Sequence, residues 1–467
     1  MAVVPKQVVE CKGEMMENAP KLCVLAANPV RSDLANGVMI NSLFRQWPSE
    51  QLSHIYFRTF SSLAPDCFAE SNCRSLSIFG GRARDVVNRT GSVTDGRVGP
   101  NAKHHRANSG ALSGLWGCCG PLIKRRKDAL ALARAVQELC ALSGGASRGL
   151  RKMLRQERPD VVYAHIGSNW ISQVVCRACR QEGIPLVIHV TDDYVDGLYS
   201  EDVIGRWLSR AAEHSLKEVS GYASKCIAIS PMMASDFATR YEQAWDWCTT
   251  LVRDSEVPRG ATSREESEDA AFRLVYAGSL ELNRWVALRC LANFISENPK
   301  IGNKSLFLDI WCKDEDRLRY QEKLSVGSGA IRFRGWLERD KLRGFLAKAD
   351  LCVHAESSFE EDVRFTRLSL STKISQYLVL GKPVLALAPR AIASVKVLEA
   401  AGACVGVCDS GEGELDAILR RCVYDRGFLA QCGRSGQNWA KTSLNVDVRG
   451  RRILKEIASI GNRIGKT

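Results

Sequence analysis

Short apolar runs alternate with longer amphipathic segments along most of this chain of 467 residues. In the first half the runs are KLCVLAA, LSHIYF, DVVYAH, PLVIHV and KCIAIS, and most of them are apolar at nearly every position. Strands of that kind are buried on both faces, which is typical of a parallel sheet covered by helices. The pattern therefore predicts a doubly wound α/β domain.

A second series of the same kind begins after residue 270, with FRLVYAGS, KSLFLDIW, AIRFRG, DLCVHAES, KPVLALA and AGACVGVC. Residues 254–270, DSEVPRGATSREESEDA, are charged and poor in apolar residues, as an interdomain linker is. Residues 61–120 are rich in Ser, Gly, Asn and Arg and are predicted to form loops and a short hairpin. We predict a disordered lead-in at 1–20, an N-terminal domain at 21–250, a linker at 251–270, a C-terminal domain at 271–440 and a C-terminal helix at 441–467.

Two doubly wound domains joined by one linker predict a cleft between them. In open parallel sheets, ligands bind beyond the carboxyl ends of the strands. A cleft that two such edges face is a site shared by both domains, so the residues that follow the strands are the first candidates for chemistry.

The segment LSTKISQYLVLGKPVLAL, residues 370–387, is the most informative of these. It predicts a helix that ends at Gly381 and leads into a strand through Lys382 and Pro383. The start of such a helix offers backbone N–H groups and a positive dipole to a phosphate. Thr372, Lys373, Gln376 and Tyr377 are then candidate binding residues. The alternative is that Lys373 is solvated and Tyr377 belongs to the core.

The second half of the chain resembles the donor-binding domain of the GT-B glycosyltransferases, in particular the family-4-like enzymes that need no metal. The resemblance lies in FRLVYAGSLELNR, IRFRGWLERDKLRGFLAKADLCVHA and STKISQYLVLGKPVLA, and it covers about residues 272–410. It implies two Rossmann-like domains, with the nucleotide sugar bound by residues 271–440 and the acceptor by residues 21–250.

The resemblance also implies a Gly-rich turn that holds the donor diphosphate. The turn is Gly278–Ser279–Leu280, and Ser279 stands where the family has an Arg, while Arg284 can serve for a Lys that follows. Lys373 or Lys313 is expected to compensate for the missing cation. Cleavage of the sugar–phosphate bond builds negative charge on the leaving diphosphate, and without a metal ion positive side chains and helix N-termini must stabilise it.

A second departure concerns carboxylates. Gln376 stands where the family has a Glu that binds the ribose, and Leu368 occupies the place of a partner Glu eight residues upstream. An amide still hydrogen-bonds a diol, but more weakly than a carboxylate. Glu356, Glu360 and Glu361 lie in the preceding loop. They either take over the role of the missing Glu pair or form a solvated acidic segment.

In the N-terminal half, related enzymes often carry a His or an Asp at a strand end near the reacting sugar carbon. The resemblance therefore makes His165, Asp192 and Asp193 the candidates for the acceptor hydroxyl or an oxocarbenium-like centre. The alternative for the aspartates is helix capping. Gly37, in the first β-to-α connection, either lets the backbone approach the phosphates or forms a simple turn.

The expected function is transfer of a sugar from a nucleotide-diphosphate sugar to a hydroxyl of a glycan or a lipid-linked acceptor. No cofactor and no metal are expected. A nucleotide-sugar epimerase of the same shape is an alternative. A nucleotide-sugar-binding protein without activity is another, because Ser279, Leu368 and Gln376 depart from the family pattern.

Charge adds one candidate surface. The formal net charge is +13, and residues 97–127 are basic and nearly free of acid, with Trp116, Leu122 and Ile123 among them. The segment is either a patch for an anionic membrane surface or a solvated loop. Nucleic acid is not expected, because no recognition motif accompanies the charge.

The location expected is cytoplasmic, with peripheral contact to the inner face of the membrane as an option. Residues 1–20 do not read as a secretion signal, and no apolar run is long enough to span a bilayer. The 18 cysteines are scattered, and Cys176 and Cys179 form a lone C-x-x-C without a second ligand pair.

Overall fold

The computed structural model describes residues 18–31, 34–58, 72–77, 138, 144–199, 203–258, 271–325, 329–409 and 412–463. The basic segment 97–127 lies outside the described residues, as do residues 1–17 of the predicted lead-in and residues 259–270 of the predicted linker.

The N-terminal half contains a parallel sheet of seven strands in the order β3-β2-β1-β4-β5-β6-β7. The strands are β1 Leu22–Ala26, β2 Leu52–Arg58, β3 Asn72–Ser77, β4 Val161–Ile166, β5 Leu186–Val190, β6 Lys225–Ala228 and β7 Trp245–Trp247. Every residue of β1, β4 and β5 is buried, as their continuous apolar sequences predict. β3 lies in the stretch predicted as loops and a hairpin, and it pairs parallel to β2 instead.

Six helices of this half are described: α1 Ala35–Phe44, α2 Gly145–Glu157, α3 Asn169–Glu182, α4 Tyr194–Gly197, α5 Val203–Tyr222 and α6 Pro231–Tyr241. Their apolar faces join the sheet in one core. The start of α6 follows local rules, because the Ser230 hydroxyl accepts from the Met233 N–H and Pro231 occupies the first helical position.

The C-terminal half has a sheet of the same design. β8 Ala271–Ala277, β10 Lys304–Trp311, β11 Ile331–Phe333, β12 Leu351–Ala355, β13 Val384–Leu387 and β14 Cys404–Cys408 pair in parallel in the order β11-β10-β8-β12-β13-β14. A short β9, Lys300–Ile301, pairs antiparallel to β10. In both sheets the chain order reverses beside the first strand, between β1 and β4 and between β8 and β12. These are the switch points at which doubly wound sheets bind ligands.

The helices of this half and the C-terminus are α7 Arg284–Glu297, α8 Asp314–Leu324, α9 Arg339–Ala347, α10 Glu360–Thr366, α11 Thr372–Val379, α12 Ala393–Ala400, α13 Glu412–Tyr424, α14 Arg426–Ser443 and α15 Arg451–Asn462. None of the helices in the described residues is long and apolar enough to cross a membrane.

The last helix returns to the first half. Gly461 lies so close to Pro20 that an added Cβ would be 2.8 Å from the proline ring. Lys225 forms an ion pair with Glu456, and Arg452 Nη2 lies 2.7 Å from the Asp246 carboxylate. α15 therefore packs on the N-terminal sheet, which its basic amphipathic sequence alone does not reveal.

The two halves also meet beside the switch points. Ser369 Oγ donates to Asp192 Oδ1 at 3.0 Å, and Ser230 Oγ donates to the Leu368 carbonyl at 2.7 Å. An added Cβ on Gly197 would lie 2.6 Å from the Phe365 Cα, so α4 and α10 are in direct contact there. The segment from α10 to α11 is thus held by both halves, and it forms one wall of the cleft.

Candidate active site

A cavity of about 430 Å³ opens between the carboxyl ends of β8 and β12 and the N-terminal half. Both halves contribute to its wall, which includes Ala35, Asn36, Met39, Thr191, Asp192 and Ile229 from the first half and Gly278, Ser279, Arg284, Glu356, Ser369, Thr372, Lys373 and Tyr377 from the second. The cavity lies at the switch point of the C-terminal sheet, where the topology predicts a ligand.

The turn after β8 is held in shape by hydrogen bonds from its neighbours. The Tyr276 hydroxyl donates to the Ser279 carbonyl at 2.6 Å, and the Leu280 N–H donates to the Asp316 carboxylate at 2.9 Å. An added Cβ on Gly278 would lie 3.0 Å from the Tyr276 hydroxyl, so a side chain would press on the group that shapes the turn. Gly278 and Ser279 therefore present backbone to the cavity at a fixed position.

Arg284 begins α7 and carries one of the two predicted cations of the cavity. Its Nε lies 2.8 Å from Glu356 Oε2, at the end of β12. Burial raises the pKa of Glu356, and Arg284 opposes that rise. Arg284, which the sequence predicted to bind the donor phosphates, therefore already has a carboxylate partner. Nothing in the sequence indicated this ion pair.

Lys373 lies in the first turn of α11. The helix begins after Ser371, whose hydroxyl accepts from the Lys373 N–H at 3.4 Å, and both residues line the cavity. Burial, with the charge of Arg339 nearby, lowers the pKa of Lys373 to about 8. Among the described residues its ammonium group has no carboxylate partner, so the positive end of the helix and a free cation face the same space.

Tyr377 and Gln376 have different roles in the next turn of α11. Tyr377 is 1 % exposed, and its hydroxyl accepts from the Ala277 N–H at 3.3 Å, so it anchors α11 to the end of β8. Gln376 is 9 % exposed, and its Oε1 has no hydrogen-bond partner within the described chain. Such a buried acceptor is costly unless a ligand or a water satisfies it.

A second cavity of about 200 Å³ adjoins the first. Both are lined by Ala35, Gly278, Ser279, Thr372 and Lys373. The second is also lined by Trp311, Lys313, Trp336, Arg339, Leu342 and Gln376. Together they form one cleft, with Arg284 and Glu356 at one end and Arg339 and Gln376 at the other.

From the N-terminal half, Asp192 reaches the first cavity. Its Oδ1 accepts from Ser369 and its Oδ2 from Thr191 Oγ1, each at 3.0 Å. His165 Nε2 lies 3.0 Å from the same Thr191 oxygen. Since that hydroxyl gives its proton to Asp192, His165 is the donor to it. Burial raises the pKa of Asp192 and lowers the pKa of His165 to about 4.

His165, Asp193 and Gly37 do not line either cavity. His165 holds Thr191, as described. Asp193 caps α4 through the Asp196 N–H and pairs with Arg240 at 3.0 Å, with no exposed side-chain surface. Gly37 lies against the backbone of Arg31, whose carbonyl oxygen would be 2.1 Å from an added Cβ. The capping alternative therefore describes Asp193. Gly37 lies within α1 and not in the β-to-α connection, so neither a phosphate-binding loop nor a simple turn describes it, and its lack of a side chain admits the Arg31 backbone.

The remaining acidic and cysteine candidates do not line either cavity. Glu360 is on the surface, where it pairs with Arg364 at 2.9 Å, and Glu361 follows it on α10. Cys176 and Cys179 are buried on α3 as free thiols. In the part of the chain that the structure describes, no group of three or more His, Cys, Asp or Glu side chains could hold a metal ion.

The sequence did not single out Arg339 or Ser369 as site residues. Arg339 is one of several charges in an amphipathic helix, and Ser369 precedes α11 in a polar segment. No spacing distinguishes them, because contact across the cleft alone brings them to the site.

Comparisons with known proteins agree with this architecture. Residues 121–249 match the model of the glycosyl transferase 4-like domain, in the half where the resemblance in sequence was weaker. A search of curated protein sequences finds no significant match.

Solved structures match over nearly the whole chain. Sucrose-phosphate synthase of Thermosynechococcus elongatus is 11 % identical with a TM-score of 0.58, over 96 % of this chain and 98 % of that one. HepE of Anabaena, solved with UDP-glucose, is 14 % identical with a TM-score of 0.57, over 94 % and 99 %.

The α,α-trehalose 6-phosphate synthase of Burkholderia multivorans is 9 % identical with a TM-score of 0.58, over 95 % of this chain and 100 % of that one. At these identities the structures compare folds alone. Residues 121–249 thus match a glycosyl transferase 4-like domain, and the whole chain has the two-domain GT-B fold of these structures, in agreement with the resemblance seen in its sequence.

Proposed function

We propose that the protein transfers a sugar from a nucleotide-diphosphate sugar to a hydroxyl of a glycan or lipid-linked acceptor, without a metal ion. The observation that carries the proposal is the cavity of about 430 Å³ that both halves line at the switch point of the C-terminal sheet. A site between two domains can bind the donor on one side and the acceptor on the other, and can exclude water between them.

The donor side is the C-terminal half. Lys373 and Arg284 supply positive charge for the leaving diphosphate, and the start of α11 adds backbone N–H groups. Gly278 and Ser279 let the phosphates approach the end of β8. Positive side chains then perform the stabilisation for which other enzymes use a metal ion.

The acceptor side is Asp192. In the proposed reaction the acceptor oxygen forms a bond to the anomeric carbon, the bond from that carbon to the phosphate oxygen breaks, and its electron pair leaves with the diphosphate. Asp192 takes the proton of the acceptor hydroxyl. Ser369 and Thr191 fix its orientation, and the raised pKa that burial gives it makes it a stronger base.

The nucleotide is the part of the proposal to establish first, because Ser279 and Gln376 replace the residues that the family uses. HepE was solved with UDP-glucose, so UDP-sugars come first in a panel that also includes GDP- and ADP-sugars. A ligand that binds only the native state raises the melting temperature. We expect one nucleotide class to do so.

The selected donor is then tested for transfer, with release of nucleoside diphosphate and of product followed separately. Lys373→Ala should lower kcat/KM by roughly a hundredfold, as loss of a group that stabilises leaving charge does. Lys396→Ala, on the surface beside Glu399, is the matched control and should leave turnover unchanged.

Three outcomes contradict the proposal. Release of free nucleotide and an altered sugar without acceptor would identify an epimerase. Binding without any turnover would identify a binding protein. Absence of both binding and turnover across the panel would exclude a nucleotide-sugar site.

A further inference from the structure

The second cavity carries a concentration of positive charge. Arg339, at the start of α9, lines it together with Lys313 and Lys373, and the charge of Arg339 acts directly on Lys373. Arg339 and Lys373 are partly buried at this cavity of about 200 Å³, whereas Lys313 is exposed and precedes the acidic first turn of α8. Like charges repel one another more strongly where burial excludes solvent, so a negative charge between Arg339 and Lys373 would stabilise them.

The protein supplies part of that charge. Glu256 lies 3.5 Å from Arg339, while Arg343 donates to the Glu256 carbonyl and not to its carboxylate. Arg253 and Arg343 act on Arg339 with like charge, and Asp340 acts with opposite charge. Lys373 has no carboxylate partner within the described residues. The balance around the cavity remains positive.

Gln376 gives a second and independent indication of a ligand. Its side chain is nine-tenths buried, it lines the second cavity, and its Oε1 has no partner in the described chain. A buried amide oxygen needs a donor such as a hydroxyl. A ligand that is anionic and also bears hydroxyl groups satisfies Lys373, Arg339 and Gln376 together.

The first cavity differs in this respect. Arg284 is the cation that lines the first cavity but not the second, and Glu356 neutralises it at 2.8 Å. An anion that approaches Arg284 must compete with that carboxylate. An anion that approaches Lys373 meets a cation without a partner, next to the N-terminus of α11.

We propose that Arg339 and Lys373 together bind the diphosphate group of the donor, and that Arg339 supplies the cation that is missing at Ser279. This inference rests on the proposed function and deepens it. A guanidinium is suited to this task because its planar donors match phosphate oxygens in pairs. Gln376 accepts from a hydroxyl next to the diphosphate.

The test is calorimetric titration of the full chain with UDP, GDP and ADP, with inorganic pyrophosphate and with the matching nucleosides. Arg339→Gln should weaken binding of the preferred nucleoside diphosphate and of pyrophosphate by roughly tenfold or more. Binding of the nucleoside should change less than twofold. Lys341→Gln removes the same charge from an exposed position of α9 and should bind like the unchanged protein.

Arg339→Lys keeps the charge and separates binding from folding. If Arg339→Gln lowers diphosphate affinity while Arg339→Lys, which keeps the charge but not the paired donors, loses less affinity than Arg339→Gln, the inference stands. Unchanged diphosphate binding by Arg339→Gln would overturn it, and so would an equal loss for nucleoside and diphosphate. In both cases the proposed function survives if Lys373→Ala still lowers turnover. If the unchanged protein binds no nucleoside diphosphate and no pyrophosphate, both proposals fail.

Discussion

The two halves of the molecule share one strand order but present opposite chemistry to the cleft. The C-terminal half presents Lys373, Arg339 and Arg284 at the ends of its strands and helices. The N-terminal half presents Asp192 and Thr191. Topology fixes where an edge lies, and the side chains at that edge decide which part of a reaction it serves.

The polar residues at the N-terminal edge are mostly satisfied inside the domain. His189 lies 2.5 Å from the Tyr163 hydroxyl and 3.0 Å from the Cys248 carbonyl, and burial lowers its pKa to about 3. His165 is likewise buried and held by Thr191. Asp193 pairs with Arg240. These groups support the edge, and only Asp192 among the predicted residues of this half is left to act in the cleft.

The strongest test of this contrast is Asp192→Asn. We expect kcat to fall roughly a thousandfold, since loss of a general base costs about that much. The melting temperature should change little, because an amide oxygen can accept one of the two hydrogen bonds. The measurement is kcat at saturating donor and acceptor. A value within about threefold of the unchanged protein would show that the N-terminal edge takes no proton from the acceptor.

Asp193→Asn sharpens the comparison by moving the change one residue along the chain. Its buried carboxylate balances Arg240, and its removal should destabilise the protein by about 2 kcal/mol, less than for an isolated buried pair, because Arg240 keeps Asp236 at 2.6 Å. We expect a melting temperature lower by roughly 5 °C, with kcat retained at permissive temperature. Asp196→Asn, half exposed nearby, is the control. A large loss of kcat at unchanged stability would instead make Asp193 catalytic.

The smallest effect concerns pH and the donor side. Lys373 is protonated below its pKa of about 8, and a phosphate favours the protonated form. Diphosphate affinity should therefore be constant up to pH 7 and weaken about tenfold by pH 9, where an ordinary lysine with a pKa near 10.4 stays charged. The Lys373→Arg variant should bind the diphosphate equally well at pH 7 and at pH 9. Constant affinity in the unchanged protein would contradict a phosphate contact at Lys373.

Much of the architecture was predictable from local sequence. Continuous apolar runs such as β5 require a sheet that is covered on both faces, and Gly381 and Ser371 mark the ends of α11. The position of Lys373 at the cleft followed from its place at the start of a helix that faces the strand ends, and that of Arg284 followed from the family resemblance. β3 was missed because its sequence is polar and its pairing with β2 is a long-range contact.

By itself the sequence predicted two doubly wound domains, the sheet edges that face a cleft as the candidate site, and the cations of the C-terminal edge. The domains and their edges follow from periodicity and residue type, which are local properties, and the role of Arg284 follows from the family resemblance. Tertiary structure alone decided that Asp192 faces the cleft while Asp193 caps a helix, that Glu356 neutralises Arg284, and that Arg339 stands beside Lys373. Each of these contacts depends on the packing of segments that are distant in sequence. For two adjacent residues of the same type, such as Asp192 and Asp193, the sequence does not indicate which one will contact a partner.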